Sequence, residues 1–309
     1  MTEFLHSLAT PQVRDLAQSC LGPDLICAEK MCGVNLYSPE NDLANCAAWL
    51  RKLDRDPDPL FKHLAKRKST RLGLYFESLW AFFWQRTTQT EVLAYNLQIS
   101  KSGRTLGALD FIVKQGTRQI HIEAAVKFYL LSGSDENNYD QWIGPNTNDN
   151  LGKKIGRMQE HQFPILGHEI TQNRLRQLNI DNANTEQALI LKGMLFFPFD
   201  HIKPISDRLI RHKQNVWLHV ANLDKVCAAE FYSVIPRNRW LGPAIYHARL
   251  QPLSAQQLKI ALASQIRYDN RPRMVAELFR DFDGKWKEKK RFFVVSDYWP
   301  DTERPSRNT

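Results

Sequence analysis

The sequence predicts an α/β fold built on a mixed sheet of four or more strands, in the order helix, three strands, helix, strand. Three observations carry that prediction. Residues 92–131 hold three apolar-rich runs separated by turn-type clusters. Residues 71–87 before them are strongly apolar at helical spacing, and residues 188–197 form a nearly continuous apolar run of strand length.

The three runs cover 92–99, 106–113 and 119–130. Ser100-Lys101-Ser102-Gly103 and Lys114-Gln115-Gly116-Thr117 between them fit two successive hairpins, so the direct reading is a β-meander. In the helix over 71–87, Leu72, Phe76, Leu79 and Phe83 recur on one face, and Glu77 sits among aromatics. Residues 132–150, rich in Gly, Ser, Asn and Asp, read as a long loop. Its end, Asn148-Asp149-Asn150, can cap a helix over 151–162 that carries Lys153, Lys154 and Arg157 and stops before Pro164. The run 188–197 then supplies a fourth, central strand.

Around this core, residues 1–66 read as a helical N-terminal extension. A helix over 12–20 is opened by Pro11 and stopped by Gly22-Pro23, and a second runs over 41–53. Residues 201–309 read as an α+β extension packed on the 67–200 core. Helices are expected at 205–214, 253–265 (with Ser254 as cap) and 274–279, and strands at 216–220, 232–235, 244–250 and 291–295.

Lys and Arg outnumber Asp and Glu by 42 to 33, a formal net charge of +9, which favours an anionic partner. Trp286 among Lys285, Lys287, Lys289, Lys290 and Arg291 mixes aromatic and basic residues as nucleic-acid surfaces do, although a hairpin with solvated lysines fits equally well. The five cysteines form no CxxC pair and suit reduced thiols better than a disulfide framework or a zinc site. With no signal-peptide pattern and no apolar run of about 20 residues, the expectation is a cytoplasmic protein without a membrane partner.

Each buried-looking strand of the meander's second half carries an acid: Asp110 between Leu109 and Phe111, and Glu123 between Ile122 and Ala124. Acids in strands usually lie on a solvated face, and Glu77 could simply pair with a neighbouring base. Burying a carboxylate without a partner costs several kcal/mol, so three such acids ask for a cation, a hydrogen-bond network or a wet cleft. Lys127 follows Glu123 at an even spacing and shares its face of the strand. Oxygen ligands for a hard cation and an ammonium beside them are what Mg²⁺-dependent phosphodiester hydrolysis requires.

The order helix, meander, helix, strand, with Glu77 on the helix, Gly107-Ala108-Leu109-Asp110 on the second strand and Glu123 on the third, resembles the PD-(D/E)XK nuclease superfamily. The Gly-x-x-Asp form is similar to its RecB-like and lambda-exonuclease-like branches. The strings LGLYFESLW, RTLGALDF, IEAAVKFYL and WIGPN also resemble a bacterial family of uncharacterised proteins known only as a domain of unknown function. The resemblance implies an αβββαβ restriction-endonuclease-like core. It also implies Mg²⁺ or Mn²⁺ held by Asp110, Glu123 and Glu77, with these three and Lys127 as catalytic residues, and DNA or RNA as partner. Gln162 is similar to a glutamine that some of those nucleases carry; with His121, Lys153, Lys154 and Arg157 it completes a set of candidate substrate contacts.

One position departs from the pattern. The superfamily places lysine two residues after the strand acid, where this chain has Ala125. Lys127 comes two residues later, about 13 Å from Glu123 along an ideal strand against about 7 Å for the usual spacing. A long side chain, or a bulge at Ala124-Ala125, would recover part of that difference. Two functions follow from the sequence: a metal-dependent nuclease, or a catalytically inactive protein of the same fold that binds nucleic acid or serves a structural role.

Overall fold

The structure is a computed structural model that describes residues 1–39, 43–86, 90–181, 184–227 and 229–301. It is α/β, with mixed and largely antiparallel strand pairing. The chain forms two compact units, each assembled from separated segments. One comprises Leu16–Val126 and Lys153–Lys192; the other comprises Met1–Asp15, Lys127–Gly152 and Gly193–Thr309. These boundaries differ from the three consecutive segments read along the sequence, because two strands contribute residues to both units.

The first unit contains the expected meander. Its strands, Thr90–Lys101, Arg104–Gln115 and Arg118–Leu131, are antiparallel neighbours, and Glu186–Pro198 lies next to the third. The first hairpin closes through Ser102 and Gly103, both at positive φ (49° and 80°), the combination that a two-residue turn matching the strand twist needs. Residues 1–66 are less purely helical than expected. Lys30–Met31 and Val34–Leu36 form a small hairpin whose second strand runs parallel to Glu186–Pro198, pairing Asn35 with Ala188. The helix expected over 41–53 is Leu43–Arg55, positions 41 and 42 lying outside the described residues.

The aromatic helix, Leu72–Arg86, is buried on almost every side, and the expected last residue, Thr87, lies outside the described set. Trp80 and Trp84 lie 5.1 Å apart, and Trp84 meets Phe111 edge-on at 4.8 Å, docking the helix on the second meander strand one residue after Asp110. Trp84 and Gln115 both donate to the Tyr37 hydroxyl, at 3.0 and 2.8 Å, which explains a glutamine that is only 8% exposed. The helix expected over 151–162 is Leu151–Arg157 followed by one wider turn, Met158–Gln162.

The second unit is built on strands from the C-terminal third. Val216–His219 runs parallel to Trp286–Val295, which is antiparallel to Arg273–Arg280, which is antiparallel to Phe231–Ile235. Helix Ala255–Asp269, started by the Ser254–Gln257 capping box, places Leu258, Leu262 and Ile266 on the core with Tyr232, Val275 and Phe292. The helix expected over 274–279 is a strand. Met274, Val275 and Ala276 are consecutively buried, because this strand is covered on both faces, and a short continuous apolar run does not distinguish the two periods. The helix expected over 205–214 is reduced to the 3₁₀ turn Ile210–His212, and the strand expected over 244–250 to Ile245–Tyr246.

Two features of this unit are fixed by backbone groups. Arg14 donates to the carbonyls of Leu8, Ala9 and Pro243, and Asp15 accepts the Gly242 N–H at 2.8 Å, tying the N-terminal segment to residues more than 200 positions away. Gly193 has φ +130°, and a Cβ there would stand 1.7 Å from the Lys127 carbonyl oxygen, so only glycine fits. Among the described residues no helix is long and apolar enough to cross a membrane.

Candidate active site

Asp110 sits where the meander is locally opened. On one side the ladder pairs Tyr95 with Phe111 and Leu97 with Leu109 but passes over the pair between them, and Asn96 opposite Asp110 has a left-handed φ of 49°. On the other side the ladder to the third strand stops at Phe111 and Ile122. The Asp110 carboxylate fills the gap, accepting the Ala124 N–H through Oδ2 at 3.0 Å. An acidic side chain thus stands in for a backbone acceptor, which is how a carboxylate can be held inside a sheet.

Glu123 is fully buried and bound on both oxygens. His121 meets Oε1 through Nε2 at 3.1 Å, and Gln162 donates to Oε2. Burial depresses His121 to about 4, so the ring is neutral; its Nε2–H then donates to Glu123, and Nδ1 faces the Gln187 amide at 3.5 Å. Gln187 is itself held by the Phe163 carbonyl at 2.8 Å. Lys154 donates to Gln162 Oε1 at 2.8 Å, so Lys154, Gln162 and Glu123 form one chain of hydrogen bonds.

Glu77, Asp110 and Glu123 act on one another. Burial, then the Asp110 and Glu123 carboxylates, push Glu77 up to about 8. Burial, then Glu123, push Asp110 up to about 7, opposed by the Ala124 N–H and Lys154. Glu123 is raised by burial and opposed first by Lys154, then by Asp110 and Gln162.

The structure brings together Glu77, Asp110, Glu123, His121, Gln162 and Lys154. Lys153 and Arg157 occupy exposed positions of the short helix that carries Lys154. Lys127 belongs to the other compact unit, where its ammonium pairs with Asp149 at 2.5 Å and Tyr129 bonds the same carboxylate at 3.2 Å. Ala125, in the usual lysine position, is buried.

Sequence reasoning missed three neighbours. Tyr95, 42% exposed, stacks on Phe111 with ring planes 7° apart, and its phenol is pushed up to about 12 by burial, then by Glu77 and Asp110. Arg67 lies 4.6 Å over the Tyr75 ring, and its charge reaches Tyr95. Its only signal was membership of the basic run 62–71. Gln187, at the start of the fourth strand, had none.

Oxygen donors of this kind suit a hard divalent cation, and burial, joined at Glu77 and Asp110 by the charge of a neighbouring carboxylate, raises all three carboxyls. Among the described residues, however, no three His, Cys, Asp or Glu side chains stand in a geometry that could hold a metal ion. The donor chemistry fits, therefore, while the carboxylates would have to reorient around an ion.

The family model Domain of unknown function (DUF1853) matches residues 14–295. No curated protein and no solved structure matches the chain. The chain belongs to the DUF1853 family.

Proposed function

Starting from membership of a family whose description assigns no activity, we propose that the protein is a metal-dependent nuclease hydrolysing phosphodiester bonds of DNA or RNA, on a core of the PD-(D/E)XK kind. The observation that carries this reading is a charge imbalance. Among the described residues, three largely buried carboxylates feel the charge of the Lys154 ammonium. A Mg²⁺ or Mn²⁺ ion held by Glu77, Asp110 and Glu123 would neutralise the remainder and supply Lewis-acid polarisation of a phosphoryl oxygen.

The protein's own residues have separable tasks in this reading. Asp110 is held by the Ala124 N–H and Glu123 by Gln162 and His121, contacts that would be exchanged in part for the ion as the carboxylates turn towards it. Lys154, within reach of the same carboxylates, offsets charge that builds on the phosphate, the task the sequence pattern gave to Lys127. Lys153, Arg157 and the net charge of +9 attract the polyanion. With either metal, purified protein should cleave some DNA or RNA substrate, and Glu123→Gln should abolish turnover while retaining substrate affinity.

A second reading, a nucleic-acid-binding or structural protein without turnover, is favoured by Ala125 in the lysine position and by a Glu123 whose two oxygens are already engaged. A salt-sensitive binder showing no metal-dependent cleavage of single- or double-stranded DNA and RNA, free-ended or circular, would establish it in place of the nuclease.

A further inference from the structure

The unit containing the C-terminal strands forms a half-open cavity of about 700 Å³, within the range of about 300–1,000 Å³ typical of small-molecule sites. None of its lining belongs to the unit that holds the carboxylates. Its buried walls include Ile235, Trp240, Met274 and Trp299. Both indole N–H groups are already engaged, Trp240 with the Ile235 carbonyl and Trp299 with the Pro145 carbonyl, each at 3.1 Å. The indoles, each 7% exposed, therefore present a narrow apolar edge rather than a donor.

The charged part of the lining has the opposite character. Three arginines, Arg237, Arg271 and Arg273, face two aspartates, Asp269 and Asp301. Arg273 takes Asp269 at 2.7 Å. Arg237 and Arg271 are exposed, and among the described residues neither guanidinium forms an ion pair or a hydrogen bond; Arg237 overhangs the Trp240 ring at 5.7 Å, and the Arg271 charge helps to hold the Asp269 carboxyl below its ordinary range. A proline adjoins each along the chain, Pro236 before Arg237 and Pro272 after Arg271, so the guanidinium stems start beside constrained backbone. Asn146 and Asn148 add exposed amide groups to the rim.

An aromatic floor with its donors spent and a rim with surplus guanidinium select a ligand with a flat, weakly polar body and an anionic group at one end. We propose that this cavity is a binding site for a small phosphorylated aromatic of the nucleoside monophosphate class. Arg237 and Arg271 grip the phosphate, and the ring lies against the tryptophan wall. The site is independent of the nuclease reading, since it uses none of the carboxylate residues.

The test is calorimetric titration of the full chain with AMP, adenosine, inorganic phosphate and a short 5′-phosphorylated oligonucleotide, in the presence of a metal chelator. AMP should bind once per chain, with adenosine and phosphate each weaker by about tenfold or more. Arg237→Gln and Arg271→Gln, both at exposed positions, should each weaken AMP about tenfold, and the double variant should abolish binding without changing the melting temperature. Glu123→Gln should bind AMP as the wild type does, which separates this site from the proposed nuclease centre. The proposal is overturned if AMP does not saturate, or if adenosine or phosphate alone binds as tightly. It is equally overturned if the double arginine variant keeps its affinity, or if the oligonucleotide displaces AMP at lower concentration, which would make the occupant a strand end.

Discussion

Replacing Asp110 by Asn should stabilise the metal-free protein, and the size of the effect should depend on pH. The Asp110 carboxyl is raised from its ordinary 3.8 to about 7 by burial and by Glu123. Between pH of about 4 and 7 the native state therefore keeps a proton that the unfolded chain has released. Stability from this group is complete below the unfolded value and is lost as pH rises to the folded one. At about 1.4 kcal/mol per unit, roughly three units set an upper bound near 4 kcal/mol above pH 7. Asparagine cannot ionise, its oxygen can still accept the Ala124 N–H, and its amide can donate to Glu123. The surroundings of a buried carboxylate relax as it ionises, so the expected gain is about 1–3 kcal/mol at pH 8, falling towards zero near pH 4. Urea denaturation with chelator at both pH values measures it. Added Mg²⁺ should then raise the melting temperature of the wild type and leave Asp110→Asn unmoved. A variant less stable than wild type at pH 8, or a gain identical at both pH values, would refute the picture of mutually repelling carboxyls.

Lys154→Ala should lower turnover by orders of magnitude and push the carboxyl pKa values further up. Lys127→Ala, whose partner is Asp149, should leave turnover within a few fold; single-turnover kinetics on both variants decides between the two lysines. Arg291→Leu should cost about 3–5 kcal/mol in denaturant titration, because Glu288 is bound to Arg291 at 2.5 and 2.8 Å and would be left buried with an uncompensated charge. Gly193→Ala should lose more than about 4 kcal/mol or fail to accumulate as folded protein, since its Cβ would overlap the Lys127 carbonyl. Near-wild-type stability in that variant would mean that the two strands can part locally.

The legible parts of the fold were those whose period was long or whose turns were chemically specific. The aromatic helix, the Ser102-Gly103 hairpin and the Ser254 cap all announce themselves within a few residues. The strand Arg273–Arg280 does not, because MVAEL, buried at every position, offers no alternation and has helix-forming residues in it. The acids of the candidate site were legible for the same local reason: a carboxylate inside an apolar strand is conspicuous. Their cation was not. Strand periodicity singled out Lys127, but its ammonium pairs with Asp149, and the ammonium whose charge acts on Glu123 is that of Lys154, 31 positions along the chain, which also bonds Gln162. A contact between a strand and the helix after a long loop leaves no periodic trace, and neither does the left-handed Asn96 that opens the sheet at Asp110.

The bonds that tie Arg14 and Asp15 to residues 242 and 243 have a consequence for the order in which the protein is made. Synthesis runs from the N-terminus at about 5–20 residues per second, so some 229 positions separate Arg14 from its acceptor by roughly 10–45 s on the ribosome. Throughout that interval the first segment of its unit has emerged while the backbone groups that complete it do not yet exist. The other unit meets a shorter version of the same delay, since Lys192, partner of Asp24 at 2.9 Å, is translated 168 positions later. The unit begun by Arg14 therefore cannot finish folding until residue 243 has emerged, whereas the unit that ends at Lys192 is complete while the C-terminal third is still being made.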